Sequence, residues 1–240
     1  MLRTCVLLLL LLLGWDESAL AERTIVCATS VDIPPMEFVD AEGNAAGYAI
    51  DLFRAVGRIA GFKAEFKTVK RDEIVAGLQS GQYDAICSSV LLDEEARKAM
   101  DISTPYHLAR KVLVVNEATR IHSSTSMQGA IIGVPPGIGA GNLPGARITI
   151  YRNIAKAMED LYVNRLDGVI CDNTVAAYFA SVTYQNRLKV TGYLGQGDRV
   201  SYAVAVKKGD KEVLDLLNRG ISTVRARDID KELRMKWFTR

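Results

Sequence analysis

Short apolar runs and helix-periodic segments alternate along almost the whole of this 240-residue chain, and midway the alternation starts afresh. "TIVCATS" (24–30) reads as a buried strand, followed by a loop containing Pro34 and Pro35. The acidic, glycine-bearing stretch from Asp40 to Gly47 reads as a hairpin turn or surface loop. Ile50, Phe53, Val56 and Ile59 recur at helical spacing, and Gly61 is placed to end that helix. Phe62, Ala64 and Phe66 alternate as a strand does. Ile74, Val75 and Leu78 make a helix stopped near Gly81, and "DAICSS" (84–89) is another buried strand. Short strands separated by helices of about three turns predict a parallel sheet covered on both faces.

The second round begins after the extended segment "LARKVLVV" (108–115). "AIIGV" (130–134) is a strand, followed by a Gly/Pro-rich loop from Pro135 to Gly145 and then by "ITIY" (148–151). Ile154, Ala157, Met158 and Leu161 share one helix face, "GVICD" (168–172) is a strand, and "NTVAAYFA" starts another helix. "YAVAVKKG" (202–209) reads as one strand, and amphipathic helices over roughly 210–226 and 228–238 end the chain. Each half therefore carries its own α/β sheet.

The halves are alike in detail. "LQSGQYDAICSS" (78–89) and "LYVNRLDGVICD" (161–172) both run from a helix end through an aspartate and a buried strand to a polar tip. In open parallel sheets, ligands bind beyond the carboxyl ends of the strands. The tips Ser88-Ser89 and Asp172 are thus expected as facing walls of one cleft, and two lobes closing on a small ligand is a hinge device. Downstream of the serines, Asp93 with Glu94 and Glu95 suits a helix start, where acidic groups favour the dipole.

Composition narrows the function classes. With 30 basic and 28 acidic side chains the formal net charge is +2. No Lys/Arg cluster with interleaved aromatics is present, so a nucleic-acid partner is not expected. Arg3, the apolar run Val6 to Leu13 and the small-residue site Ala19-Leu20-Ala21 form a secretory signal over residues 1–21. That run is well short of the roughly 20 residues that span a bilayer. The mature chain is expected to be exported and soluble. Cys27, Cys87 and Cys171 each lie in an apolar run without metal spacing. Buried thiols are the preferred reading, with a Cys27–Cys87 bridge left open if their strands are neighbours.

Four stretches carry a family resemblance: "PPMEFVDAEGNAAGYAIDLFRAVGRIAGF" (34–62), "LQSGQYDAICSSVLLDEEARKAMDISTPY" (78–106), "LDGVICDNTVAAYF" (166–179) and "YAVAVKKGDKEVLDLLNRGI" (202–221). In order and spacing they resemble the periplasmic solute-binding proteins of the amino-acid uptake type, extracellular family 3. The resemblance implies a two-lobed type II fold, each lobe a mostly parallel sheet flanked by helices, joined by two hinge strands. Residues 22–110 and 200–240 would form lobe 1, and 111–199 an inserted lobe 2. It further implies a periplasmic monomer that takes a small-molecule ligand to the inner-membrane permease of an ATP-driven importer and needs no cofactor or metal.

Position by position the implied site is uneven. Ser88 and Ser89 match the family's serine pair, and Asp172 matches the aspartate that holds the ligand's ammonium. The position of the family's carboxylate-binding arginine holds Ala96, and Arg97 is one residue on, turned by about 100° on a helix. A covering aromatic is Ile33, a hydroxyl position is Leu91, and the threonines of the second-lobe loop are Ile138 and Gly139. Two parallel charge-assisted bonds from arginine offset a carboxylate's desolvation. Without that arginine, Arg71, at a ligand-packing position, and backbone N–H groups from Gly137 to Ala140 are the candidates to compensate.

Two other readings share this fold. A cyclohexadienyl dehydratase-like lyase would need a cleft acid, for which Asp172 and Glu37 are the candidates. An exported accessory protein of a periplasmic dehydrogenase system would keep the fold without uptake. Serine-nucleophile chemistry is not supported, since His107 and His122 stand in no motif.

Overall fold

Strand β1 (Arg23–Thr29) buries Ile25, Cys27 and Ala28, side chains from both of its faces, so it needs cover on both sides. A computed structural model describes residues 23–88, 98–119, 121, 127–135, 138–140, 143–194 and 199–238. β1 is followed by a small antiparallel meander of β2 (Asp32–Ile33), β3 (Glu37–Val39) and β4 (Ala45–Ala46). Helix α1 (Tyr48–Ala60) buries one stripe, including Ile50, Phe53 and Val56. It ends at Gly61, whose φ of 78° is left-handed and favours a residue without a Cβ. β5 (Phe62–Thr68) then returns parallel to β1, with Arg23 opposite Phe62 and Thr29 opposite Thr68. After α2 (Ile74–Gln79), β6 (Ala85–Ile86) lies parallel on the other side of β1.

Antiparallel strands complete this first sheet. β7 (Met100–Ile102) and, from the far end of the chain, β14 (Ala205–Lys207) give the order β5-β1-β6-β14-β7. Ala28, Ile74, Leu78, Ile86 and Met100 form an apolar cluster with α2, while Ile25, Cys27, Val56 and Phe62 belong to a larger core with α1.

The chain crosses to the second sheet beside its own return. Ser103 N donates to Val204 O (2.9 Å), Val204 N donates to Ser103 Oγ (2.9 Å), and Tyr106 N donates to Tyr202 O (2.7 Å). β8 (His107–Asn116) pairs first with β13 (Arg199–Tyr202) and then runs inside the second sheet. That sheet has the order β10-β9-β11-β8-β12, from β9 (Ile131–Val134), β10 (Arg147–Ile150), β11 (Gly168–Asp172) and β12 (Leu188–Tyr193). β11 is buried along its whole length. α3 (Ile154–Tyr162) presents Ile154, Ala157, Met158 and Leu161 to the core; α4 (Asn173–Tyr178) continues into a π-helical turn, Phe179–Thr183. α5 (Lys211–Ala226) and α6 (Ile229–Phe238) return to the first lobe, where Trp237 Nε1 donates to Asp51 Oδ2 of α1 (3.0 Å).

Two lobes, each with its own sheet and joined by two crossing strands, are therefore present. Two details differ from the sequence expectations. The run 202–209 is not one strand: Tyr202 ends β13, and Ala205 starts β14 in the other sheet. The sheets are mixed, because the crossing segments enter each one antiparallel beside a parallel trio. As preferred from the sequence, Cys27, Cys87 and Cys171 are free and buried, although β1 and β6 are neighbours. The signal segment 1–21 lies outside the described residues.

Candidate functional site

Three strand ends meet at one cavity. β1 leads into Ser30 and Asp32, β5 into Val69 to Asp72, and β10 through Tyr151 into Arg152. Ser30, Asp32, the run from Thr68 to Asp72, and Arg152 line a cavity of 710 Å³, with walls from both sheets. Arg71, expected at the site, is on its wall. Its Nε donates to Asp32 Oδ2 (3.1 Å), its Nη2 to Ser30 Oγ (3.0 Å) and also to Asp32 Oδ1. The guanidinium fork is thus already occupied by a carboxylate of the protein, and Ser30 Oγ donates to the same carboxylate at 2.7 Å. Lys70 forms a long ion pair with Glu73 (3.6 Å), while Arg152 and Asp72 have no partner among the described residues.

Ser88 is drawn inward. Only 3% exposed, its hydroxyl donates to Glu37 Oε1 at 3.1 Å and lies 2.8 Å from Ser30 Oγ. Glu37 is fully buried. A continuous polar chain therefore runs from Glu37 through Ser88 and Ser30 to the Asp32–Arg71 pair at the cavity wall.

Asp172, expected as a carboxylate facing Ser88 across a cleft, is not among the described residues that line this cavity. It is 1% exposed, and its Oδ1 caps α4 by accepting from Thr174 N (2.9 Å) and Val175 N (3.1 Å). Its Oδ2 accepts from the hydroxyl of Tyr202 at 2.7 Å. Burial pushes its carboxyl above the usual carboxylate range, and the Tyr202 hydroxyl and helix amides offset this in part. Beside it, His107 Nε2 lies 2.9 Å from Thr174 Oγ1, with its ring among Tyr48, Tyr202 and Phe238. Burial, with Arg234 second, pulls the His107 pKa down to about 4.

The remaining expected residues are dispersed. Ile33 is half-buried against the core, Ile138 is 7% exposed within the core, and Gly139 is exposed. Ser89, Leu91, Ala96, Arg97, His122, Gly137 and the Asp93–Glu95 cap lie outside the described residues. Sequence reasoning missed Ser30, Asp32, Arg152 and Tyr202. The strand-end rule that singled out Ser88 and Asp172 points equally to Ser30 after β1 and Arg152 after β10. Nothing local to Tyr202 shows that it reaches Asp172. Among the described residues no His/Cys/Asp/Glu group could hold a metal, and no helix is long and apolar enough to cross a membrane.

Comparison with known proteins gives a consistent set. The family model of the bacterial extracellular solute-binding proteins, family 3, matches residues 25–240. The chain is 26% identical over 223 residues to a probable histidine-binding protein of Neisseria gonorrhoeae, covering 89% of this chain and 82% of that one. It is 27% identical over 225 residues to the L-cystine-binding protein TcyJ of Escherichia coli strain K12, covering 90% and 82%. The solved structure of an ancestral arginine-binding protein bound to arginine matches with a TM-score of 0.76 at 29% identity, covering 90% of this chain and 98% of that one.

Proposed function

The chain belongs to the bacterial extracellular solute-binding proteins, family 3, and from that membership we propose that it is the periplasmic component of an ATP-driven importer. It binds an amino-acid-like or small organic-acid ligand between two closing lobes and presents it to an inner-membrane permease. Residues 22–110 and 200–240 act as one lobe and 111–199 as the other, after removal of residues 1–21 on export. One observation carries the reading: the 710 Å³ cavity takes its lining from both sheets and presents side chains of both charges. A small ligand touching both walls favours the closed arrangement by its differential contacts.

The chain is a binding protein rather than an enzyme, as its named relatives are. Glu37 and Asp172, the acids a lyase would need, are buried and hydrogen-bonded within the fold, away from the cavity lining. No observation favours an accessory role. A thermal-shift screen of the purified protein against the common amino acids and small organic acids tests the proposal. At a hundredfold excess over Kd, a ligand adds about 2.7 kcal/mol, a rise of roughly 5–10 °C for a chain of this size. A flat response across both sets would overturn the reading.

A further inference from the structure

Among the described residues the cavity wall has three cations, but they are not equivalent. Arg71 is held by Asp32 and Ser30, and Lys70 faces Glu73. A ligand carboxylate approaching Arg71 would have to displace a carboxylate already fixed there. Arg152 is the lining cation without a partner among the described residues, and the one contributed by the second lobe.

Its backbone is fixed on both sides. Before it, Tyr151 N donates to Val134 O (2.9 Å), and the Tyr151 hydroxyl donates to Asp160 Oδ2 (2.8 Å). After it, Asn153 caps α3 by accepting from Lys156 N (3.0 Å). Arg152 is exposed on this fixed backbone, and a guanidinium without a partner among the described residues keeps its donors available for a planar anion, which arginine grips bidentately. On the opposite wall Asp72 is likewise without a partner among the described residues, beside the fixed Asp32.

We propose that Arg152 is the carboxylate anchor of the ligand and that the zwitterion lies across the cavity, acid end to the second lobe and amine end toward Asp72 and Asp32. This rests on the amino-acid reading above. The anchor then also serves closure, because the ligand's two charges tie one lobe to the other. Arg71 becomes a positioning residue that holds Asp32 in place.

Titration calorimetry on the whole exported protein tests it, with L-arginine, L-histidine, L-cystine and L-glutamine as probes. For the tightest binder, Arg152→Ala should weaken binding at least tenfold, and Arg152→Lys should restore part of that loss. The melting temperature of the ligand-free protein should stay as in the wild type, since the guanidinium has no hydrogen-bond or ion-pair partner among the described residues. The carboxamide of the same amino acid should discriminate between wild type and Arg152→Ala far less than the free acid does. Binding of the free acid that survives Arg152→Ala overturns the anchor alone. So does an equal loss for acid and amide. Failure of these four probes and of every amino acid in the thermal-shift screen to bind the wild type overturns the amino-acid reading and the anchor with it.

Discussion

Two buried ionisable side chains beside the crossing strands respond to pH in opposite directions. Asp172 has its carboxyl raised by burial, so its contribution to stability is fully present below the unfolded carboxyl range and is lost as pH rises through the folded value. His107 is the reverse. Its pKa falls to about 4, so the neutral ring contributes stability fully above the ordinary value of 6.5 and loses it as pH drops through about 4. Charging that ring would place a cation among Tyr48, Tyr202 and Phe238 and near Arg234. Replacing it with glutamine removes the titration while leaving Asp172 in place. Between pH 7.5 and pH 4.5, urea unfolding of His107→Gln should lose about 2–3 kcal/mol less stability than the wild type. Equal losses would show that the folded ring takes up its proton at the ordinary value, as it would if water reached it.

At the scale of elements, α1 and α5 meet where a glycine removes a side chain. A Cβ on Gly220 would lie 2.6 Å from Val56 Cγ1 and 3.3 Å from Val56 O. On an exposed helix Gly→Ala stabilises by about 1 kcal/mol, but here the added carbon must push two packed helices apart. Gly220→Ala should therefore lower stability by about 1–3 kcal/mol despite the better propensity, as read by urea denaturation. A net gain would mean that the helices separate freely. Helices α1 and α3 were legible in the sequence because packing one face onto the core imposes the 3.6-residue period on Ile50, Phe53 and Val56 and on Ile154, Ala157 and Leu161. The break between β13 and β14 was not legible. An alternating apolar run has the same period whichever sheet it joins, and Ser103, 101 residues away, is what claims Val204 N. The site follows the same logic. Strand ends placed Ser88 and Asp172 at polar tips, whereas their orientation comes from Glu37, 51 residues away, and Tyr202, 30 residues on. Arg71 was placed on the cavity by the resemblance, but its pairing with Asp32, 39 residues away, is again long-range.

On the proposed closing of the lobes, the two crossings are the place where one lobe would turn against the other with each sheet intact. They are joined side by side by Ser103, Val204, Tyr106 and Tyr202, and α6 reaches the same point through Phe238, whose ring lies 5.2 Å from His107. Small rotations there require no loss of either sheet's ladder, which is what hinge closure around a ligand needs. The hydroxyl of Ser103 has a particular share in this, since it accepts the N–H of Val204, a residue 1% exposed, and donates to Thr104 O at 2.9 Å. Ser103→Ala leaves that N–H without its acceptor and should cost about 1–3 kcal/mol in urea unfolding. The same change loosens the crossing, so it should also alter the balance between open and closed lobes. Small-angle scattering on the wild type with and without the tightest-binding amino acid should show a smaller radius of gyration when saturated. Ser103→Ala should start from a different ligand-free value and contract to the same end point, because the ligand's contacts with the two walls are unchanged. Superimposable curves for ligand-free and saturated wild type would remove the closing motion, and with it the advantage of a cavity lined from both sheets.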